Sequence, residues 1–145
     1  SITNDGAANE RGQTGSNIAY NRNDNVQGPL RVGSFATGVN NRISSGGGFY
    51  GVMELSGNVW ERPVTVGNST GRAFEGRYHG NGVLDSSGNP NVTSWPGTDA
   101  VGAGFRGAGW SREADYARLS DRIYAAYTVT LRIDGGGGRG VRSAP

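Results

Sequence analysis

Tyr50–Glu61, YGVMELSGNVWE, is the most specific stretch of this chain. Its first half, with Phe49 before it, is apolar enough for a buried turn or a short helix. Its second half continues as Asn58–Val66, NVWERPVTV, which predicts a strand. Pro63 lacks a backbone N–H, so that strand belongs at an edge or a bulge. Downstream, Val101–Trp110, VGAGFRGAGW, reads as a second strand spaced by glycines. Glycine there permits close backbone approach, or simply weakens the strand. Upstream, Leu30–Ala36, LRVGSFA, alternates apolar and polar residues and predicts a strand. Residues 1–28 are polar and rich in Asn, Gly and Arg, and read as a wrapping loop. Residues 67–100 are punctuated by GNSTG, HGNG, SSGNPN and WPGTD, all turn signals. The best helix candidate is short: Ser120–Tyr127, SDRIYAAY, with Ser and Asp at a possible cap.

Composition agrees with a loop-rich α+β fold of short antiparallel strands and little helix. The chain has 145 residues, enough for one domain, and no repeat of solenoid period. Leu, Ile, Val and Phe make up 26 of them, a fraction bordering on that of disordered chains. Disorder normally pairs low hydrophobicity with high net charge, and the net charge here is only +2. Glycine stands out at 27 residues, which favours tight turns over long helices. All 14 basic residues are Arg. They form no cluster dense enough for nucleic-acid binding. No apolar run approaches the roughly 18 residues of a membrane span. Trp60, Trp95 and Trp110 read as core anchors, with ligand platforms as the alternative.

Four blocks, in order, resemble the formylglycine-generating-enzyme (sulfatase-modifying factor) family, a C-type-lectin-like fold. They are YGVMELSGNVWE at 50–61, GFRGAGW at 104–110, ARLSDR at 117–122 and GGRGVR at 137–142. The likeness covers about residues 30–142. It is close to the family's surface-protein branch, found in Bacteroidetes-type bacteria and their phages. It departs at Gly138, where the family usually has Phe. Such domains usually begin with a strand and two helices carrying an LPTEAEWE-like segment. The resemblance therefore implies the C-terminal portion of the fold, its N-terminal part missing and supplied by another segment or chain.

The resemblance also implies which chemistry to discount. The family's enzymes use a cysteine pair to bind copper, and its sulfoxide-synthase relatives use a histidine-based iron site. This chain has no Cys and one His, His79, so copper, iron and zinc are not expected and neither is catalysis. Glu54 with Glu61, or Asp85 with Asp99, are ordinary acidic pairs, and Ser111 with His79 makes no triad. The family does bind structural calcium. The matching positions are Asn58, the carbonyl of Val59, and Glu61. Oxygen donors at i and i+3 suit calcium's flexible coordination. The alternative is that Asn58 satisfies a turn and Glu61 pairs with Arg62 or Arg106.

The C-terminal region carries the functional reading. Thirteen Asn occur in the first 109 residues and none after Trp110. Residues 110–137 instead hold Tyr116, Ile123, Tyr124, Tyr127, Val129, Leu131, Ile133 and Asp134. Such replacement resembles the work of diversity-generating retroelements, which rewrite adenines in the variable region of C-type-lectin-like proteins. An Asn codon changed at its adenines cannot give Lys, Glu, Gln, Met or Trp, and Leu119–Gly137 contains none of these. The expectation is a receptor-binding domain of a phage tail fibre or bacterial surface, extracellular or on the virion, taking a protein or glycan receptor. Its ligand-binding residues would be Ser111, Arg112, Asp115, Tyr116, Ile123, Tyr124, Tyr127, Val129, Leu131, Ile133 and Asp134. Tyr gives large contact area at low entropy cost. Arg118 and Arg122 match the family's structural arginines and are assigned to the scaffold. The alternatives are an ordinary apolar strand pair, or a structural module of a surface filament or lipoprotein with a fixed partner.

Overall fold

Asn58 lies in the left-handed region at φ 66°, a conformation that Asn tolerates better than most residues. The preceding Gly57 is also left-handed, at φ 73°. A Cβ on Gly57 would press into the carbonyl of Ala19, so both its torsion and its surroundings require glycine. These two residues turn the chain sharply into β3, Trp60–Glu61. The computed structural model describes residues 2–3, 11–12, 18–22, 27–75, 83–89, 92, 95–130 and 132–138. It is a loop-rich, mixed α+β structure with sparse helix. Its elements are β1 (Ile2–Thr3), β2 (Arg11–Gly12), β3, α1 (Ser69–Arg72), a 3₁₀ helix (Ala114–Ala117) and β4 (Gly136–Gly137).

The chain divides into two compact units. The first comprises Ser1–Glu61, Arg106–Asp121 and Ile133–Pro145, and the second Arg62–Phe105 and Arg122–Arg132. In the first unit β1 and β2 pair antiparallel, Ile2 opposite Gly12. They fall in the stretch expected to be a wrapping loop; most of that stretch lies outside the described residues. β3 and β4 pair parallel, Trp60 opposite Gly136. This parallel pair stands beside the expected antiparallel pairing of β1 with β2 and the antiparallel bridge of Glu61 with Arg106. A parallel ladder needs a long connection, and residues 62–135 supply it. On its other side Glu61 exchanges two main-chain hydrogen bonds with Arg106, both 2.9 Å. The core gathers Ala19, Leu30, Phe35 and Trp110, with Trp60 also buried. Phe35 is 1% exposed. Burying a side chain of that size stabilises by about 1.5–3 kcal/mol.

The second unit is built around an isolated antiparallel bridge, Val64 with Ala103. Thr65 N–H donates to Gly102 O at 2.9 Å and Gly104 N–H to Pro63 O at 3.1 Å. α1 is a single turn, capped by Asn68, whose Oδ1 accepts from Thr70 N–H at 2.7 Å. Its buried Gly71 lies against the carbonyls of Thr65 and Gly102.

Several sequence expectations are corrected. Leu30–Ala36 is a turn, not a strand; Gly33 is left-handed at φ 83° and Ala36 N–H bonds back to Gly33 O. Phe49–Leu55 forms a turn about Gly51, with Phe49 and Tyr50 exposed rather than buried. Asn58–Val66 is regular only at Trp60–Glu61. Val101–Trp110 is no continuous strand, because Gly102, Gly107 and Ala108 all take positive φ and break the pleat. Ser120–Tyr127 is turn, not helix; the carbonyl of Tyr124 goes to Phe105 N–H and that of Ala125 to Thr65 Oγ1. The short helix that does form, α1, sits in a stretch of turn signals.

Candidate binding surface

Asn58 is tied into the first unit. Its Oδ1 accepts from Leu30 N–H at 2.6 Å, and its Nδ2 donates to Leu30 O at 3.0 Å and to Glu54 Oε2 at 2.7 Å. The amide thus pairs with Leu30 as a neighbouring strand would. Asn58 N–H reaches Ala19 O at 2.8 Å, and Asn58 O accepts from Trp110 N–H at 2.6 Å. Glu54, 6% exposed and at φ 59°, accepts from Gly33 N–H through Oε1 at 2.9 Å. One lone pair of Asn58 Oδ1 is thus spent on Leu30 N–H, and the second is the one a cation would take. Val59 and Glu61 are half-buried. Among the described residues no three His, Cys, Asp or Glu side chains cluster to hold a metal. His79 lies outside the described residues.

The predicted ligand-binding residues divide between the two units. In the first unit Ser111 is half-buried in a turn closed by Arg112 N–H to Gly109 O at 3.0 Å, and Arg112 is exposed. Arg112 O accepts from Asn21 N–H at 2.6 Å, and the Arg22 guanidinium lies 5.5 Å from the Trp110 ring centre. Asp115 lies in the first turn of the 3₁₀ helix and pairs with Arg118 at 2.6 Å, both side chains being largely exposed. Such a pair contributes at most about 1 kcal/mol. Arg118 is exposed here, as is Arg122 in the second unit. Tyr116 is half-buried, its ring meeting Trp60 edge-to-face at 6.1 Å. It props the core as much as it offers a surface. Ile133 and Asp134 are exposed in the turn before β4.

In the second unit Ile123 is 64% and Tyr127 44% exposed. Tyr124 and Val129 are half-buried, and Leu131 lies outside the described residues. The rings of Tyr124 and Tyr127 are 5.3 Å apart, and Tyr127 lies 5.8 Å from the buried Phe105. Arg62 covers Phe105 at 4.3 Å, a cation–π contact, and donates to the carbonyl of Val129. Partial burial pushes the Arg62 pKa down from its ordinary value. Arg62 and Phe105 thus underlie the tyrosines, a role with no local signal because it rests on contacts between distant stretches. Trp95 also departs from expectation. Trp60 and Trp110 are core, but Trp95 is 42% exposed.

No family model, curated protein or solved structure matches this chain.

Among the described residues no helix is long and apolar enough to cross a membrane. The mode of support in the second unit bears most on function. Residues 122–130 are held by their backbone: Phe105 N–H on Tyr124 O, Thr65 Oγ1 on Ala125 O, and Arg62 on Val129 O. Ala125 is buried and sits directly on Gly67 and Gly104, where no Cβ intrudes. Ile123 and Tyr127 project outward from this anchored segment.

Proposed function

We propose that this chain is a non-catalytic receptor-binding domain with the C-type-lectin-like fold of the formylglycine-generating-enzyme type, carried on a phage tail fibre or bacterial surface and diversified by a retroelement. It binds protein or glycan receptors through residues 111–134. The observation that carries the reading is the main-chain anchoring of residues 122–130. Every residue offers the same carbonyl, so this support is indifferent to side-chain identity. Such a segment keeps its course when the exposed side chain at Ile123 changes, while Tyr127 also packs on Tyr124 and the buried Phe105. Loops on a rigid scaffold are where binding concentrates, and exposed tyrosines suit it. The absence of catalysis is supported by the lack of Cys and the single His, which exclude the family's copper and iron chemistry.

Sequencing the flanking DNA tests the proposal. The expected result is a reverse-transcriptase gene and a second copy of the region encoding residues 110–137, differing at adenines. A flank with neither overturns the diversified reading.

A second reading is a structural module with a fixed partner that completes the fold. Val39, Ile43, Phe49 and Tyr50 of the first unit are each at least 70% exposed, more apolar surface than an isolated unit favours. Light scattering after size exclusion separates the cases. If Phe49→Ser with Tyr50→Ser leaves size, solubility and stability unchanged, the surface has no such partner in its own oligomer.

A further inference from the structure

We infer that the second unit holds a saccharide pocket built on Trp95 and Asp99, separate in its residues from the proposed receptor-binding segment. The cavity has a volume of about 370 Å³. That lies at the small end of the range for ligand pockets, fit for one small molecule. It is lined by Trp95, Pro96, Asp99 and Val101, with Thr70 of α1 and Ala73 just after it.

The loop sets each polar group in place. Pro96 fixes its own φ, and Trp95 N–H closes a turn on Val92 O at 3.1 Å. The indole meets Phe74 edge-to-face at 5.2 Å and 85°, so it is supported yet 42% exposed. A turn closed by Ala100 N–H on Gly97 O, 3.0 Å, then swings Asp99 alongside. Asp99 Oδ1 accepts from Val101 N–H at 3.0 Å, which orients the carboxylate. Oδ2 has no partner among the described residues. Thr70 adds a hydroxyl, and Ala73, Pro96 and Val101 add apolar wall.

A sugar ring matches this set. One face of a pyranose is a patch of C–H groups that stacks on an aromatic ring. Its edge carries adjacent hydroxyls that donate to a carboxylate oxygen. An indole, a carboxylate and a hydroxyl around an open cavity meet both halves of that chemistry. A purely apolar ligand would leave Asp99 desolvated and unpaired, at a cost. A quaternary ammonium is better held by a cage of several rings, and among the described residues one ring lines this pocket.

Saturation-transfer NMR on the whole chain tests the inference. The probes are glucose, galactose, mannose, fucose, N-acetylglucosamine and N-acetylgalactosamine, with tetramethylammonium as the competing chemistry. At least one sugar is expected to receive saturation on the C–H protons of one ring face and to shift the Trp95 indole N–H resonance. Trp95→Ala and Asp99→Ala should each weaken it about tenfold or more, equivalent to about 1.4 kcal/mol, with Trp95→Phe retaining part. Ile123→Ala and Tyr127→Ala should leave it unchanged, which separates this site from the receptor-binding proposal. Amide spectra confirm that the variants are folded. If Trp95→Ala fails to fold, Asp99→Ala and the indole shift decide. The inference is overturned if no sugar binds, if tetramethylammonium alone binds, or if folded Trp95→Ala and Asp99→Ala bind as well as the parent chain.

Discussion

Asn58 shows how one side chain can stand in for a strand. Its amide satisfies both the N–H and the carbonyl of buried Leu30, while its own backbone joins Ala19 to Trp110. Losing that amide leaves two buried main-chain groups unpaired, each at about 1–3 kcal/mol. Asn58→Ala is therefore expected to lose about 3 kcal/mol or more in urea denaturation. Asn58→Asp should be no milder, since it sets a second carboxylate against buried Glu54. Asp85 is the contrasting case on the surface. Its Oδ1 accepts from Ser87 N–H and Asn89 N–H. Its pKa is lowered, chiefly by the backbone bond from Asn89. A depressed carboxylate stabilises above its unfolded pKa and loses that contribution as pH falls through the folded one. The Ser87 and Asn89 amide resonances should hold steady from neutral pH down to the ordinary aspartate range and move only below it. A transition above that range would contradict the turn described.

At the scale of elements, hydrogen bonds between distant stretches outweigh local preference. Leu30–Ala36 alternates like a strand, but its partner is a side chain 28 residues away, so it turns instead. Ser120–Tyr127 has a helix-like opening, but the second unit claims its carbonyls. The same anchoring yields a prediction on tolerance. Substitutions at Ile123 should change stability by only about 0.5 kcal/mol, as for ordinary surface sites. Gly104→Ala should cost several times more, because its Cβ would strike the carbonyl of Ala125. Deep mutational scanning on a display platform, read by protease resistance, measures both. If positions 123 and 104 proved equally sensitive, the support would not be main-chain in nature.

For the whole molecule, metal and composition are the relevant terms. A bound ion stabilises the folded chain by mass action. If calcium is held at Asn58, Val59 and Glu61 as the resemblance implies, a chelator should lower the melting temperature by several degrees, and an unchanged melting temperature would count against that site. The residues alone conveyed a loop-rich chain, the burial of Trp60 and Trp110, and the want of thiol or two-histidine chemistry. Those follow from composition and from local torsional demands, which each residue carries wherever it sits. They did not convey the parallel pairing of β3 with β4, the hub at Asn58, the exposure of Trp95, or the division of residues 111–134 between two units. The resemblance in YGVMELSGNVWE pointed to Asn58 but assigned it to an ion. The fold also pairs its amide with Leu30, which no local pattern announces, because a buried amide takes whichever hydrogen-bond partner the packing of remote segments delivers.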